Sequence, residues 1–367
     1  MAEERTIHQP IHASVRARLD PEYVALHDAI IQYMEPSEAR PWDPASRRAP
    51  NPLAHTTQKL SPVGRTWDEE LLGGGVQARI FVPDGEAPNA AGWPCLVWLH
   101  GGGWVNGGLD SENGFLTHVC RCEAVLTRKP SFSPFCSRRL DVRCVVVTIN
   151  YRHAPEHVYP AAVEDSLAGL KWLLEPATAS RLNINTSLVT IGGVSAGGNL
   201  AAVVTMKASL AGVAPAPISQ LLICPVIDST ATAETGWAAS RYVPWLTPGR
   251  MGWYQDLYFA RPEDRRRWDA SPCFAPRDVL ARSPPTWLAV AEVDLLTPEG
   301  LAYADQLRGA GVDVRTEVYK GATHSVLVLA GVHQISRKLV HDACAWLARG
   351  FGSAYDASAA PILSQQE

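Results

Sequence analysis

One serine lies at the centre of a G-x-S-x-G pattern, Ser195 within residues 193–197. An apolar run at 188–191 precedes the pattern, and a segment compatible with a helix, 198–206, follows it. A sharp turn from a strand into a helix strains the backbone of the serine, and glycines on both sides relieve the steric conflict. The pattern therefore predicts a nucleophilic Ser195 hydroxyl, presented above the N-terminus of a helix.

A second motif consists of three consecutive glycines, Gly101, Gly102 and Gly103, directly after His100. Consecutive glycines leave backbone N–H groups accessible, and acyl-transfer enzymes use such donors to stabilise an oxyanion. We predict that the N–H groups of Gly102, Gly103 and Ala196 form an oxyanion hole, with His100 and Gly101 as part of the loop motif. A phosphate-binding loop would need a following Lys and Ser or Thr, which are missing here, and a flexible linker is the remaining alternative.

A serine hydroxyl needs a histidine that accepts its proton and a carboxylate that orients the histidine. Among the eleven histidines, His324 follows the last strand-like run, whereas His333 and His341 lie at or in the final helix and are predicted to be surface groups. Asp294 follows the preceding strand-like run, which predicts it as the orienting acid. Glu299 begins the next helix, where its charge suits the helix dipole.

The elements around these residues alternate between strands and helices, which predicts an α/β fold with a mostly parallel sheet. The strand candidates are residues 76–82, 95–100, 144–150, 187–194, 220–226, 287–292 and 312–319. Apolar residues recur with helical spacing at 161–174 and 334–347. A helix near the N-terminus begins with Asp20 as its cap and Pro21 at its first position, and its apolar spacing continues to Met34.

The predicted domain organisation is an N-terminal extension with a cap helix at 1–68, a core at 69–350 and a tail at 351–367. Two stretches of the core, 229–270 and 120–141, are longer than ordinary connections and are predicted to be insertions. The first contains eight aromatic residues, so we expect it to cover an apolar pocket as a cap. The second lacks periodicity, which predicts an exposed loop. A functional insert and an artefact of the gene model both remain open for it.

The overall composition excludes several classes of partner. The chain has 33 Lys and Arg against 37 Asp and Glu residues, a net charge of -4, which disfavours nucleic acids and anionic membranes as partners. The N-terminal stretch has no apolar core of a secretory signal, and no run reaches the roughly 18 apolar residues of a membrane span. We therefore expect a soluble, cytoplasmic protein without integral membrane association.

The cysteines predict neither a disulfide framework nor a metal site. Eight cysteines in 367 residues are far too few for a disulfide scaffold, and Cys95, Cys144 and Cys224 lie in apolar strand-like runs. These three are predicted to be buried, reduced thiols. Cys120 and Cys122 form a C-x-C pair that lacks the usual C-x2-C spacing of zinc ligands, and no histidine pair completes it. We predict no bound metal and no cofactor.

With these motifs the sequence resembles the hormone-sensitive lipase-like α/β-hydrolases, an esterase group with HGGG and GDSAGG motifs. The similarity extends from about 76 to 350 and includes the stretch NYRHAPEH at 150–157. It implies an α/β-hydrolase fold, with a mostly parallel central sheet, flanking helices and a helical cap made by the N-terminal helix and 229–270. It also implies hydrolysis of carboxylic esters without a cofactor.

By matching motif positions, the resemblance implies Ser195, Asp294 and His324 as a catalytic triad. Three features depart from the pattern of this group. Val194 precedes the nucleophile where the group usually has Asp, and His324 is followed by Ser325 and Val326 instead of Gly and Phe. The insertion at 120–141 lengthens the connection between the oxyanion loop and the next strand.

The combined prediction is a carboxylesterase-type serine hydrolase that cleaves small to medium apolar esters through an acyl-enzyme. Its partner is a small ester molecule, and the formation of a homo-oligomer stays open. Two alternatives also stay open. One is a tailoring hydrolase of secondary metabolism, such as a lactonase, acyltransferase or dehydratase, with the same triad. The other is a catalytically silent ligand-binding receptor of this fold, like the plant gibberellin receptor; the intact serine, aspartate and histidine favour the enzyme.

Overall fold

The computed structural model describes residues 5–45, 53, 56–71, 75–121 and 142–357. The predicted loop insertion therefore lies outside the described residues, except for its first two positions. In these described parts of the chain, no helix is both long and apolar enough to cross a membrane.

The described residues form one eight-stranded sheet. Its strands are β1 Arg65–Leu71, β2 Val76–Val82, β3 Trp93–Leu99, β4 Val145–Asn150, β5 Ile184–Val194, β6 Ser219–Ile223, β7 Thr286–Val293 and β8 Val314–Thr323. The spatial order is β1-β2-β4-β3-β5-β6-β7-β8. Strand β2 runs antiparallel to β1 and β4, and all other neighbours are parallel.

Helices cover both faces of the sheet. They are α1 Ala13–Arg16, α2 Pro21–Ala29, α3 Asn113–Arg121, α4 Ala161–Leu174, α5 Pro176–Leu182, α6 Ala196–Leu210, α7 Pro248–Tyr258, α8 Arg277–Leu280, α9 Thr297–Gly309 and α10 Gln334–Gly350. Alternate residues of the central strands pack in opposite directions: Val97 joins the core layer of α4 and α6, and Leu96 joins that of α3 and α10. All seven residues of β3 are buried, as expected for a parallel strand covered on both faces.

The seven predicted strands are all present, with ends that shift by a few residues. The sequence analysis missed β1, which begins at Arg65, inside the segment predicted as the N-terminal extension. This strand lies at the antiparallel edge, and most of its side chains are exposed or half-buried. An edge strand needs no apolar run, which is why the polar sequence RTWDEEL gave no strand signal.

The predicted N-terminal helix begins as expected, because the Asp20 side chain accepts a hydrogen bond from the backbone N–H of Glu22. It ends at Ala29 instead of continuing to Met34, and a 3-10 turn, Ile31–Tyr33, follows. Two adjacent β-branched isoleucines at this point favour helix less than unbranched residues do. The turn directs Ile31 into the core, where it is buried.

The N-terminal segment is attached to the end of the sheet near β8. The backbone N–H of Asp20 donates to the carbonyl of Gly321 at 3.0 Å. The Glu22 carboxylate accepts from the backbone N–H of Gln334 at 2.7 Å. These contacts place the start of the chain beside the loop that follows β8.

Candidate active site

Ser195 lies at the turn between β5 and α6, with backbone angles φ 56° and ψ −119°. Residues other than glycine rarely adopt these backbone angles, and neighbouring hydrogen bonds hold the Ser195 backbone in this conformation. The Ser195 N–H donates to the carbonyl of Ile223, and the Ser195 carbonyl accepts from Val226. A Cβ atom on Gly197 would lie 1.9 Å from the Leu99 carbonyl oxygen, so the close approach of α6 to β3 requires glycine there.

His324 follows the last residue of β8 and connects Ser195 with Asp294. Its Nε2 accepts from the Ser195 hydroxyl at 2.9 Å, and its Nδ1–H donates to Oδ2 of Asp294 at 2.9 Å. Asp294 is buried and also accepts from the backbone N–H of Leu296 at 3.3 Å. The structure thus brings together the three residues that the sequence predicted as nucleophile, base and acid.

The hydrogen bonds of His324 also bear on a metal site. Donor atoms of Cys224, Asp294 and His324 lie within 4.8 Å of one another, as metal ligands can. Both ring nitrogens of His324 are engaged, one with Ser195 and one with Asp294, so neither has a lone pair free for a metal ion. The hydrogen bonds among Ser195, His324 and Asp294 therefore account for the positions of His324 and Asp294 without a metal ion.

The glycine loop after β3 lies beside Ser195. Gly102 and Gly103 have φ angles of 119° and 63°, and their backbone N–H groups have no hydrogen-bond acceptor among the described residues. Ala196 is the first residue of α6, where a backbone N–H has no intrahelical acceptor. The three predicted oxyanion donors therefore lie on segments that meet at the serine.

His100 supports this loop from beneath. Its ring stacks on Tyr151 with centroids 4.3 Å apart, and the Tyr151 hydroxyl donates to the His100 carbonyl at 2.9 Å. The His100 Nδ1–H donates to the carbonyl of Gly101 at 2.8 Å. Burial lowers the pKa of His100 to about 4, so its ring is neutral at pH 7. His100 acts as a neutral support for the loop and holds no charge near the serine.

Ser195 and His324 line a cavity of about 1310 Å³. The N-terminal segment, the predicted cap insertion and the loop after His324 all contribute apolar walls. They include Ile31, Met34, Trp245, Leu246, Met251 and Leu327. The pocket is larger than the roughly 300–1,000 Å³ of most ligand pockets. The aromatic insertion therefore does line a pocket, as its composition predicted.

Helix α7, which lies within residues 229–270, contacts the glycine loop directly. Trp104 stacks on Tyr258 with centroids 4.4 Å apart. The Tyr254 ring occupies the space above Gly103, where a Cβ atom would lie 2.3 Å from it. Tyr254 also accepts a hydrogen bond from Asn106 at 3.3 Å. The sequence analysis did not single out Tyr254, although its position in the aromatic segment was a signal for it.

Arg250 on α7 connects the insertion with the N-terminal segment. Its guanidinium group donates to Glu38 at 2.8 Å and to the Gln9 side chain at 2.9 Å. Both partners come from the first 40 residues of the chain, which no local pattern could have linked to position 250. The N-terminal segment and α7 together form the roof of the pocket, although they are far apart in the sequence.

A carboxyl group forms hydrogen bonds at each end of the insertion. At its start, Glu299 accepts from the Ile227 N–H at 2.8 Å and from the Trp237 indole at 3.0 Å. At its end, Asp269 accepts from the Tyr159 hydroxyl at 2.6 Å and from Lys207 at 2.8 Å. Glu299 does lie in the first turn of α9, but its main contacts are these bonds. Burial of its carboxyl group raises the pKa of Glu299 to about 8.

The prediction that His333 and His341 are surface groups was wrong. His333 is buried, its Nδ1 lies 2.8 Å from the Ser336 hydroxyl, and its Nε2 is 3.4 Å from Asp20. His341 is half-buried and contacts the Tyr355 hydroxyl. The N-terminal segment covers His333 through Asp20, and His118 of α3 and Tyr355 cover His341. By contrast, Cys95, Cys144 and Cys224 are buried and form no disulfide among the described residues, as predicted for reduced thiols.

Comparisons with known proteins agree with this architecture. Residues 96–328 match a family model for the alpha/beta hydrolase fold. An alpha/beta hydrolase superfamily protein of Schizosaccharomyces pombe is 35% identical, with 91% of this chain and 94% of that protein covered. The carboxylic ester hydrolase LipN of Mycobacterium tuberculosis is also 35% identical, over 70% of this chain and 62% of LipN.

Further similarity comes from an ethyl acetate hydrolase of Pseudomonas putida, 30% identical over 69% of this chain and 72% of that enzyme. Among solved structures, an esterase of Rhizomucor miehei superposes with a TM-score of 0.75 at 27% identity, covering 91% of this chain and 97% of that one. These matches confirm the α/β-hydrolase fold class.

Proposed function

Because the chain belongs to the alpha/beta hydrolase family and its relatives include carboxylesterases, we propose that it cleaves carboxylic esters through an acyl-enzyme on Ser195. The observation that carries this proposal is the continuous hydrogen-bonded line from Ser195 through His324 to Asp294. Such a line activates a hydroxyl that is otherwise nearly inert. The protein is accordingly a carboxylesterase-type hydrolase that needs no redox or group-carrying chemistry for this reaction.

In the first half of the proposed reaction, His324 takes the proton from Ser195 while the serine oxygen attacks the ester carbonyl carbon. The carbonyl oxygen becomes an oxyanion, which the N–H groups of Gly102, Gly103 and Ala196 stabilise. Collapse of this intermediate breaks the bond to the alcohol oxygen. His324 gives its proton to that oxygen, and the alcohol leaves. Asp294 keeps the ring of His324 in the required tautomer throughout.

In the second half, a water molecule attacks the acyl-enzyme and His324 accepts its proton. The same three N–H groups stabilise the second oxyanion. The bond between the acyl carbon and the Ser195 oxygen then breaks, the serine recovers its proton from His324, and the carboxylic acid leaves. Each half-reaction thus uses the imidazole once as a base and once as an acid.

We further propose that the substrate is a small to medium apolar ester and that the N-terminal helix and the insertion at 229–270 form a two-part cap over it. The apolar walls of the cavity support an apolar substrate, and its volume leaves space for both the acyl and the alcohol part. We also propose a cytoplasmic location, and the formation of a homo-oligomer stays open.

The test combines substitution with covalent labelling. We expect Ser195→Ala to lower kcat/KM for p-nitrophenyl butyrate by about 10⁴-fold or more, with an unchanged melting temperature. A fluorophosphonate probe should label the wild-type protein on Ser195 and leave Ser195→Ala unlabelled. Ser187→Ala, at an exposed serine of the same strand, is the control and should behave as wild type.

The outcomes separate the alternatives. A Ser195→Ala protein that keeps more than about 1% of the wild-type rate would contradict the serine mechanism. A wild-type protein that binds esters and hydrolyses none of a p-nitrophenyl series from acetate to palmitate would point to a receptor. Transfer of the acyl group to added alcohols in preference to water would point to an acyltransferase.

A further inference from the structure

A carboxyl group that the proposed mechanism does not use lies behind the glycine loop. Glu112 precedes α3 and lines the same cavity as Ser195 and His324. Its Oε2 accepts a hydrogen bond from the indole N–H of Trp98 at 3.1 Å, and Trp98 is fully buried in β3. Glu112 has φ 54°, a left-handed conformation that is uncommon for a residue other than glycine. Strained residues of this kind cluster at functional sites.

Glu112 and Val194 meet at one position of the glycine loop. A Cβ atom built on Gly101 would lie 3.1 Å from Cγ1 of Val194 and 3.7 Å from Oε1 of Glu112. The valine side chain and the carboxyl group therefore flank the same face of Gly101. Gly101 directly precedes the two proposed oxyanion donors of the loop, so its orientation governs theirs.

The polar surroundings of Glu112 are N–H groups instead of cations. Burial raises the pKa of Glu112 to about 7, and the N–H groups of Trp98 and Gly101 act in the opposite direction. Tyr151 is an ionisable neighbour of Glu112, and the Glu112 charge helps to raise the pKa of the Tyr151 hydroxyl. Among the described residues no Lys or Arg forms an ion pair with Glu112. A structural salt bridge therefore does not explain this carboxyl group.

We propose that Glu112 is a positioning residue that fixes the oxyanion loop, by accepting the Gly101 N–H while the Trp98 indole anchors the carboxyl group. The Val194 side chain is apolar and offers no acceptor where it flanks Gly101, so Glu112 provides the side-chain acceptor on this face. A loop that is fixed before the reaction stabilises the oxyanion without reorganisation, which raises kcat. This inference rests on the proposed function.

The experiment exploits the shared contact of Glu112 and Val194. We expect Glu112→Ala to lower kcat about tenfold with KM within about twofold, because only transition-state stabilisation is lost. Glu112→Gln keeps one acceptor oxygen and should lose only about twofold to threefold. Val194→Asp should restore most of kcat in the Glu112→Ala background, because the new carboxylate faces Gly101. In the wild-type background the same change should lower kcat, because two carboxyl groups then compete at one position.

The control is Glu86→Ala, which removes an exposed carboxylate outside the lining of this cavity and should leave kcat unchanged. Melting temperatures show whether each variant folds; if Glu112→Ala does not, the Glu112→Gln and Val194→Asp comparison decides. A Glu112→Ala protein with wild-type kcat, a loss confined to KM, or no recovery in the double variant would overturn the inference. Fluorophosphonate labelling of Ser195 separates the two proposals: a wild-type protein that is neither labelled nor active contradicts the serine mechanism instead.

Discussion

The floor of the pocket and its roof are built in different ways. The floor consists of Ser195, His324 and the glycine loop, which follow strands β5, β8 and β3 of one sheet. Ladders of backbone hydrogen bonds between adjacent strands hold these strand ends in place. The roof consists of the N-terminal segment and α7, which are far apart in the sequence and are joined by side chains such as Arg250 and Glu38. Backbone bonds survive most substitutions, whereas a side-chain contact disappears with one.

This difference separates two functions of the site. The floor holds its donors and its nucleophile in place before substrate arrives, which is the main requirement for stabilising a transition state. The roof decides which molecules reach the floor. Substitutions in the floor should therefore lower kcat, and substitutions in the roof should alter KM and the choice of substrate. The variants below test this division.

The largest effect is expected for Asp294→Asn in the floor. An amide in this position can donate to Nδ1 of His324 and so stabilise the wrong tautomer, which should lower kcat by about 10⁴-fold. The melting temperature should change little, because the side chain keeps its shape. Steady-state kinetics of this variant and of Asp278→Asn, an exposed aspartate in α8, provide the comparison. A loss of less than tenfold would contradict the role of Asp294.

Two tryptophans of the roof test which aromatic side chains touch substrate. Trp245 lines the cavity, whereas Trp253 packs on Trp42 with ring centroids 5.9 Å apart. Trp245→Ala should shift the preferred acyl chain length by two or more carbons and change relative kcat/KM values by about tenfold. Trp253→Ala should keep the wild-type profile. Equal profiles for both variants, measured with p-nitrophenyl esters, would show that Trp245 does not contact substrate.

The contact between the two halves of the roof is tested by Arg250→Met. This variant keeps an unbranched apolar stem and removes the bonds to Glu38 and Gln9. We expect KM to rise about threefold to tenfold with kcat within about twofold, because the loss concerns binding and not the chemical step. Arg241→Met, at an exposed arginine of the same insertion, is the matched control. A fall in kcat with unchanged KM would show that the roof takes part in the chemistry.

The junction between floor and roof should make stability depend on pH. The pKa of Glu299 is about 8 in the folded protein, against 4.5 as its ordinary value. Folding therefore favours the protonated carboxyl, and this contribution is complete below pH 4.5 and is lost as the pH rises towards 8. We expect the melting temperature to fall by several degrees between pH 5 and pH 8. Glu299→Gln, which carries no titrating proton, should flatten this dependence; an identical slope for both proteins would refute the assignment.

The smallest effect is expected for deletion of residues 121–139, which lie almost entirely outside the described residues. Their sequence lacks apolar periodicity and contains none of the proposed catalytic groups. Shortening a flexible loop changes its closure entropy by only about 0.6 kcal/mol per halving of length. The deleted protein should therefore equal or exceed the parent in soluble yield, melting temperature and esterase rate. Loss of folding or activity would show that the segment is an integrated element near the site.

The floor could be predicted from the sequence because its residues follow strands in a fixed order. Ser195, Asp294 and His324 each come directly after a strand, and the ends of parallel strands meet at one edge of the sheet. The helix beginning at Pro21 was predictable for a similar reason, since its cap is a local pattern. Local sequence patterns thus predicted the catalytic residues, because the order of the strands in the sheet decides which of them become neighbours.

The roof and Glu112 could not be predicted in this way. The bonds of Arg250 join positions separated by more than 200 residues, and no periodicity encodes such a pairing. The Glu112 carboxyl group lies beside Gly101 only in the folded chain, and no sequence pattern signals the left-handed backbone of Glu112. The buried His333 was assigned to the surface because its partners, Ser336 and Asp20, become neighbours only in the folded chain.

The attachment of the N-terminal segment has a consequence for biosynthesis. Asp20 and Glu22 are synthesised about 300 residues before their backbone partners at Gly321 and Gln334. Chains grow at about 5–20 residues per second, so the segment waits roughly 15–60 seconds before it can dock. During that interval the half-made pocket is open, and its apolar walls face the folding environment. A fusion partner that holds the N-terminal segment away from the core should therefore delay completion of the pocket more than a fusion partner placed after α10.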